Sequence, residues 1–330
     1  GALAPLRAPE VGAAAVRAAL QRAGVDGTVV DEVVLGQVVQ GGSGQAPARQ
    51  AAIGAGLPPT VPAVTLNKVC GSGLEAVVRV AQAIRAGDVC LAVAGGQESM
   101  SNVPYYVRGL RNGVKFGDQA LEDGLIHDGL WCAFCDVHMG GHAEYTARKA
   151  GITRAMQDEY ALRSHQKALA AQDAGKFDAE IVPVEVPGRQ GTIRVDRDEG
   201  PRRDTSLEAL ARLKPAFAKD APAGIPPQEL TVTAGNASSM NDGAAALVVA
   251  SEAFARAHGL PVLARIIGYA VGATEPQELF FAPIAAVRRL LEKTGRTIHD
   301  FDLIEINEAF AAQVLADGQA LGWDWERVNV

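Results

Sequence analysis

The stretch NKVCGSGLEAV, residues 67–77, decides the fold, because an apolar run at 61–66 stops there and a helical pattern begins. The apolar run predicts a short strand, and the glycine-rich CGSG sequence predicts a tight turn. Gly87 and Asp88 mark the end of the helix before a second apolar run at 89–94. The segment is therefore predicted to be strand, turn, helix and strand, with a helix face formed by Leu74, Val77, Val78, Val80, Ala81 and Ile84.

Cys70 is the candidate nucleophile, because it lies in the turn at the predicted start of the helix. The unpaired backbone N–H groups and the positive end of the helix dipole favour a thiolate there, so we expect Cys70 to be the most reactive of the four cysteines. Gly71 and Gly73 leave room for a substrate to approach the sulfur. The alternative interpretation is a buried, unreactive structural cysteine, which is common for free cysteines.

Composition indicates an ordinary globular protein. The 330 residues are 48% hydrophobic and 21% charged, which allows a sizeable core and about two domains. The net charge of −7 and the dispersed basic residues exclude a nucleic-acid-binding stripe. Without an apolar run of about 18 residues or a secretory signal, we expect neither membrane spanning nor export. Four cysteines do not form a disulfide framework in a chain this long, which predicts a cytoplasmic protein. A removed organellar transit peptide is the alternative.

Apolar periodicity along the rest of the chain alternates between helical and strand patterns, as in a layered α/β protein. Helices are predicted at 10–22 and 46–55, with a strand at 33–39 between them. The segment 102–239 is richer in glycine, charge and histidine, and it contains a predicted helix at 154–174 and a strand region at 181–195. An apolar strand resumes at Gly243. A second pattern follows residue 260, with predicted strands at 263–269 and 301–306 and a helix at 283–295.

Four motifs occur in the order and approximate spacing of one enzyme family. They are NKVCGSGLEAV, AGGQESMSNVPY at 94–105, TVTAGNASSMNDGAAALVV at 231–249 and INEAFAAQ at 306–313. Over essentially its whole length the chain resembles the thiolase family, and within it the acetyl-CoA acetyltransferases, or β-ketothiolases. The resemblance implies a thiolase-like layered α/β fold of two similar halves. The N-terminal domain would span 1–252 with an inserted loop domain at about 102–239, and an incomplete C-terminal domain would span 253–330.

The resemblance also implies site residues. Cys70 matches the nucleophile, and Asn307 matches an asparagine that orients a water in an oxyanion hole. Arg202 matches an arginine beside the coenzyme A nucleotide, although the neighbouring Arg203 leaves that assignment open. Ser238 matches a hydroxyl that binds a pantetheine amide. The remaining matched positions line the pantetheine and acyl channel, namely Leu130, His138, Met139, Phe217, Ala234, Ala309 and Phe310.

The activity implied is acyl transfer through an S-acyl-cysteine at Cys70, either condensing two acetyl-CoA molecules to acetoacetyl-CoA or cleaving a 3-ketoacyl-CoA. Coenzyme A thioesters are then substrates and no cofactor is expected, and the resemblance implies a homodimer or homotetramer. The family's Gly-His-Pro and Cys-x-Gly motifs, which supply acid–base groups, are not found in the sequence. We therefore expect the 330 residues to look truncated at both ends and to be crippled or inactive in turnover.

Two other functions stay open at this point. One is a shortened thiolase-like protein that binds acyl-CoA or a partner without turnover. The other is a condensing enzyme of the same superfamily, such as a ketoacyl synthase, against which the Asn-Glu-Ala-Phe segment argues. An insertion-like stretch at 221–230, with Pro222, Pro226 and Pro227, departs from the shorter family connection.

Cysteine and histidine residues at 127–142 have a spacing compatible with zinc ligation. Cys132 and Cys135 form a CxxC pair, and His127, His138 and His142 are nearby. A second CxxC pair or paired histidines at ligand spacing are missing from the sequence. The sequence alone therefore favours local packing, and no metal is predicted.

Overall fold

The computed structural model describes residues 1–189, 191–221 and 225–330. Within them, the strands are β1 (Glu32–Gly36), β2 (Ala63–Leu66), β3 (Leu91–Ser99), β4 (Tyr105–Tyr106), β5 (Glu122–Asp123), β6 (Trp131–Cys132), β7 (Val137–His138), β8 (Val184–Gly188), β9 (Gly191–Val195) and β10 (Asp242–Ala250). The α-helices are α1 (Ala8–Ala23), α2 (Pro47–Ala55), α3 (Ser72–Ala86), α4 (Met139–Ala150), α5 (Arg154–Asp173), α6 (Leu207–Ala211), α7 (Glu252–Ala257), α8 (Ala282–Thr294) and α9 (Ala311–Leu321). The prediction of a mixed α/β protein is confirmed.

The described residues form two compact units. The sheet unit consists of Gly1–Gly129, Ile181–Arg197 and Met240–Ile266. The helical unit consists of Leu130–Glu180, Asp198–Ser239 and Ile267–Val330. The predicted domain boundaries, 1–252 with an insertion at 102–239 and then 253–330, stay predictions. The insertion-like stretch at 221–230 includes residues 222–224, which lie outside the described residues.

The sheet unit is built on a four-stranded sheet in the order β10-β3-β1-β2. Strands β1, β2 and β3 are parallel, and β10 runs antiparallel to β3. Side chains alternate between the two faces, as the two-residue period of a strand requires. The face that belongs to the α1 and α2 core carries Val33, Leu35, Leu91 and Val93. The opposite face packs with α3 and carries Val34, Ala92 and Ala94.

Most elements predicted from periodicity are present. The unit around Cys70 has the predicted order of strand, turn, helix and strand, and Gly87 ends α3 with a φ of 85°. The left-handed conformation at that position suits glycine, because a Cβ would be strained there. The predicted helices at 10–22, 46–55, 154–174 and 283–295 correspond to α1, α2, α5 and α8. Among the described residues, none of the helices combines the length and apolar character that a membrane crossing requires.

Two predicted strands are wrong. Residues 261–275 contain neither helix nor strand, and Leu263 is 98% exposed. Residues 301–306 form only one isolated parallel bridge, between Ile304 and Val328. An apolar run predicts burial, whereas a strand also needs a neighbouring backbone with which to pair, and the described residues supply none for 263–269 and a single bridge for 301–306.

A buried carboxyl group lies inside α9 of the helical unit. Asp317 is fully buried, and its Oδ2 accepts a hydrogen bond from Gln313 Nε2 at 2.5 Å. Its Oδ1 has no hydrogen-bond partner among the described residues. Burial raises the pKa of Asp317 to about 7, against a smaller lowering by the Gln313 hydrogen bond. The charged form is therefore unfavourable in the folded protein.

The pKa of Asp317 makes stability depend on pH. Its pKa is higher in the folded than in the unfolded chain, so its stabilising contribution is complete below pH 4 and is lost as pH rises through about 7. We expect Asp317→Asn to raise the free energy of unfolding by roughly 2 kcal/mol at pH 8 and to flatten the pH dependence between about 4 and 7. Urea unfolding at several pH values measures this. The exposed Asp302→Asn is the control, and equal pH profiles for wild type and Asp317→Asn would contradict the prediction.

Candidate functional site

The turn that presents Cys70 has an unusual backbone. Val69 adopts a φ of 48°, in the left-handed region that is costly for a β-branched residue. Asn67 holds it there, because its Oδ1 accepts the Val69 N–H at 2.8 Å while its Nδ2 donates to the Val38 carbonyl at 3.1 Å. Strain of this kind persists only where the surroundings fix it. The backbone next to Cys70 is therefore set by side-chain hydrogen bonds rather than by local preference.

Ser72 closes the same turn from the helix side. Its Oγ accepts the Lys68 N–H at 2.8 Å and donates to the Val69 carbonyl at 2.6 Å. Glu75, in the first turn of α3, pairs with Lys68 at 2.7 Å and with Arg79 at 2.7 Å. Because both ends of the turn are bonded to α3, Cys70 is held in one position relative to the helix.

Close packing between glycine backbone and α3 fixes the helix on the sheet. A Cβ added to Gly36, the last residue of β1, would come within 2.5 Å of the Ser72 backbone. At Gly71 and Gly73 an added Cβ would meet protein atoms no closer than 3.5 Å and 3.8 Å, which are ordinary contacts. Protein packing thus requires glycine at position 36. The prediction that Gly71 and Gly73 leave space for a substrate stays a prediction.

The environment of Cys70 does not favour the thiolate, so that sequence-based expectation is wrong. Although the residue is exposed, the protein around its sulfur raises the pKa of Cys70 through desolvation. Its own backbone N–H lowers the pKa by less, and the negative charge of Glu98 raises it further. Cys70 lies two residues before α3 begins, ahead of the N-cap Gly71. The sulfur therefore gains too little from the helix start to offset its burial.

Glu98 is a charged residue near Cys70 that the sequence analysis did not identify. It is half-buried in β3, and its carboxylate accepts the Val38 N–H at 2.7 Å and the Val39 N–H at 3.3 Å. Desolvation raises the pKa of Glu98, and these two hydrogen bonds oppose the rise. The available signal was a glutamate four residues after the apolar run at 89–94, because carboxyl groups are rarely buried without a partner.

The other ten predicted site residues belong to the helical unit, where an aromatic cluster collects several of them. The His138 ring stacks on Phe217 with centroids 4.8 Å apart, and Phe217 meets Phe310 edge to face at 6.1 Å. Met139 and Ala309 pack into the same apolar cluster. The Ser238 N–H donates to the Ala309 carbonyl at 3.0 Å. The unit thus brings together six predicted residues: His138, Met139, Phe217, Ser238, Ala309 and Phe310.

His138 lies at the start of α4 and has a neutral ring. It occupies the N-cap position, and its Nδ1 accepts the Gly140 N–H at 3.0 Å. Burial lowers the pKa of His138, an effect that the negative charge of Asp220 opposes. The ring is therefore neutral at pH 7, with its proton on Nε2. A Cβ at Gly140 would come within 2.2 Å of the Phe217 ring, so glycine lets the aromatic ring lie against the helix.

Two buried acids hold the segment that carries Ser238. Glu144 of α4 accepts the backbone N–H of Thr231 at 2.9 Å and that of Val232 at 2.7 Å. Asp158 of α5 accepts a hydrogen bond from Asn236 Nδ2 at 2.9 Å. Sequence reasoning missed both acids. Their positions among small residues on buried helix faces were the signal, since a buried carboxylate needs partners.

The remaining predicted residues lie outside the aromatic cluster. Leu130 is half-buried before β6, and Ala234 and Asn307 are exposed. The backbone N–H of Arg202 donates to His165 Nδ1 at 3.2 Å, and within the described residues no carboxylate pairs with its guanidinium. The Arg203 guanidinium is bound to the Asp173 carboxylate.

Comparison with known proteins accounts for the whole chain. Models of the thiolase N-terminal and C-terminal domains match residues 1–253 and 260–330. The chain is 56% identical over 331 residues to an acetyl-CoA acetyltransferase of Pseudomonas aeruginosa, with all of the chain and 82% of that protein covered. It is 53% identical to an acetyl-CoA acetyltransferase of Cupriavidus necator and 52% identical to a probable acetyl-CoA acetyltransferase of Escherichia coli, with the same coverage. The predicted thiolase-like fold is confirmed.

The charge of Glu98 should be measurable at Cys70. Glu98→Gln removes the negative charge and keeps one acceptor oxygen, enough for one of the Val38 and Val39 amides, so we expect the pKa of Cys70 to fall. Alkylation of Cys70 by iodoacetamide at pH 7 should become faster, because a larger fraction of the sulfur is then thiolate. Peptide mapping across a pH series measures this. Asp88→Asn, an exposed change in the same unit, is the control, and an unchanged or higher pKa in Glu98→Gln would overturn the assignment.

Proposed function

Because this chain belongs to the thiolase family, we propose that it is an acyltransferase that acts on acetyl-CoA and other acyl-CoA thioesters. The reaction is the condensation of two acetyl-CoA molecules to acetoacetyl-CoA and free CoA, or the reverse thiolysis of a 3-ketoacyl-CoA. The observation that carries this proposal is the braced turn that presents Cys70 ahead of α3. A purely binding protein has no chemical need for a nucleophile held in this way.

The first step uses Cys70 as the nucleophile. Its sulfur attacks the thioester carbonyl, the bond from the acetyl carbon to the CoA sulfur breaks, and a new thioester forms on Cys70. The proton lost by the Cys70 thiol ends on the CoA thiol that departs. Because burial and Glu98 raise the pKa of Cys70, the thiol must lose its proton during this step, and acylation becomes faster as pH rises.

The second step forms the carbon–carbon bond. The α-carbon of a second acetyl-CoA loses a proton to a base, a role for which these 330 residues lack the family's Cys-x-Gly cysteine, and attacks the acetyl group on Cys70. The thioester bond to Cys70 then breaks, and the sulfur regains a proton. Asn307, an exposed amide in this chain, is proposed to hold a water that stabilises the oxyanion in both steps.

The helical unit is proposed to bind the coenzyme. Pantetheine is long and partly apolar with two amides, which suits a slot with an apolar wall and a few polar groups. The cluster of His138, Met139, Phe217 and Phe310 supplies such a wall, and the exposed Ser238 supplies a hydroxyl. Leu130, Ala234 and Ala309 are proposed to complete it. Arg202 is the proposed partner of the nucleotide phosphate, because its guanidinium is free to bind an anion whereas that of Arg203 is occupied by Asp173.

The proposal extends to the setting of the protein. Coenzyme A enters as a substrate, and the reaction described uses no separate cofactor. We propose a homodimer or homotetramer, as the family resemblance implies. A cytoplasmic location is proposed because all four cysteines are free thiols, which suits a reducing compartment.

Acetylation of Cys70 tests the first step. The folded protein should carry one acetyl group after incubation with acetyl-CoA, and peptide mass mapping should place it on Cys70. Cys70→Ser should abolish the adduct, whereas Cys90→Ser, which removes another exposed cysteine of the same unit, should retain it. A wild-type protein that binds CoA but never becomes acetylated would contradict the enzyme and favour an acyl-CoA-binding protein without turnover.

Two neighbouring arginines test the nucleotide assignment. Arg202→Ala should weaken binding of free CoA by about tenfold or more, since a hydrogen bond between charged groups contributes roughly 1.5–3 kcal/mol. Arg203→Ala should leave the affinity unchanged, because its guanidinium is already bound to Asp173. Calorimetric titration measures both. A larger loss in Arg203→Ala than in Arg202→Ala would reverse the assignment.

A further inference from the structure

Three side chains of the helical unit that can ligate a metal converge, and none of them is part of the proposed coenzyme slot. Their ligand atoms, the sulfurs of Cys132 and Cys135 and a ring nitrogen of His142, all lie within 4.8 Å of one another. Among the described residues, no other group of three such side chains meets this spacing. Spacing in the sequence did not favour a metal here, because a second CxxC pair is missing.

The β6–β7 hairpin places the two sulfurs on one side of a tight turn. Cys132 ends β6 and pairs with Val137 of β7. The Asp136 N–H donates to the Cys132 carbonyl at 2.9 Å, and Asp136 adopts a φ of 53° that reverses the chain. Trp131 Nε1 donates to Asp136 Oδ1 at 3.0 Å and braces this conformation.

The same turn directs a backbone donor at a sulfur. The Cys135 N–H lies 3.4 Å from Cys132 Sγ, within hydrogen-bond range for sulfur. This contact fixes the Cys132 sulfur relative to the backbone of Cys135. The hairpin therefore holds the two cysteines close together before any ion arrives.

His142 supplies an independent indication that something is bound. It lies in the first turns of α4, is only 2% exposed, and its Nε2 has no hydrogen-bond partner among the described residues. A buried polar atom without a partner costs about 1–3 kcal/mol, so such atoms usually face a ligand, an ion or a water. The ring also forms a hydrogen bond with the backbone of Gln277. Metal-binding histidines are typically oriented in this way through their second nitrogen.

We propose that Cys132 Sγ, Cys135 Sγ and His142 Nε2 bind one Zn²⁺ ion, with a water in the fourth tetrahedral position. Two thiolates and one imidazole are a preferred ligand set for zinc. Bond lengths of about 2.3 Å to sulfur and 2.0 Å to nitrogen place such ligand atoms roughly 3.5–3.8 Å apart, so a shift of about 1 Å completes the site. Cys135 is exposed, which gives the ion a path from solvent and leaves room for the water.

Binding needs no oxidant or reductant. Two sulfur–zinc bonds and one nitrogen–zinc bond form, the hydrated ion releases all but one of its waters, and the two thiol protons pass to solvent. The neutral His142 ring binds through its free lone pair. Affinity therefore increases with pH until both thiols are ionised.

The bound ion would have a structural role rather than a catalytic one. It joins the hairpin to α4, and the chain between these ligands carries His138 and Met139, two residues of the proposed channel wall. A metal clip at both ends restricts the positions that these two side chains adopt. This role does not depend on the proposed acyl transfer.

Cobalt titration of the reduced, metal-free protein tests the site. Co²⁺ should bind once per chain and give the thiolate-to-cobalt charge-transfer band and the visible bands of a tetrahedral site, and Zn²⁺ should displace it. Cys135→Ser, an exposed and conservative change, and His142→Gln should each weaken cobalt binding at least tenfold. Cys90→Ser, which removes a cysteine of the sheet unit, should leave binding unchanged. Circular dichroism of each variant confirms folding.

Three results would overturn the proposal. The first is a wild-type protein with four titratable thiols that shows no cobalt bands. The second is Cys135→Ser binding cobalt as tightly as wild type. The third is rapid loss of two thiols in air through a Cys132–Cys135 disulfide, with metal unable to slow it, which would assign the pair to redox chemistry.

Discussion

The contact between the end of β1 and the first turn of α3 is the constraint on which the candidate site depends. Gly36 has no side chain, and so the Ser72 backbone can lie where a Cβ would otherwise be. Ser72 in turn bonds both Lys68 and Val69, and these bonds keep the turn around Cys70 in a strained form. A nucleophile must be held within about half an ångström of its working position, and rigid elements achieve this better than loops. Here a glycine on a buried strand supplies that precision.

The helical unit reaches a comparable rigidity by different means. Its segment at 231–238 has only two isolated bridge residues, so several of its backbone N–H groups need other partners. The buried carboxylate of Glu144 accepts the backbone N–H groups of Thr231 and Val232. Asp158 accepts the side-chain amide of Asn236, whose Oδ1 accepts the Thr233 N–H. Charged acceptors form stronger hydrogen bonds than neutral ones. Phe217 also stacks on His138, and this contact joins the segment that carries Phe217 to the start of α4. Side-chain hydrogen bonds thereby hold residues 231–238 in place, although the segment is neither helix nor strand.

Local signals in the sequence predicted much of the fold and less of the site. Gly87 predicted the end of α3 because a left-handed C-cap is a property of one residue. The strand prediction at 263–269 failed because pairing depends on a second segment, which an apolar run does not reveal. The sequence also located Cys70 but not its ionisation, since desolvation by the surrounding fold raises the pKa of Cys70 and Glu98 of β3 raises it further. In the same way, the spacing of Cys132 and Cys135 was visible, whereas the orientation of a buried imidazole toward them was not.

The raised pKa of Cys70 also bears on the lifetime of the protein. Peroxides attack the thiolate form of cysteine, and repeated oxidation to sulfinic and sulfonic acids is essentially irreversible. Because desolvation and Glu98 keep the sulfur protonated at neutral pH, only a small fraction is open to attack at any moment. Surroundings that keep the Cys70 sulfur protonated therefore also protect it from oxidative damage.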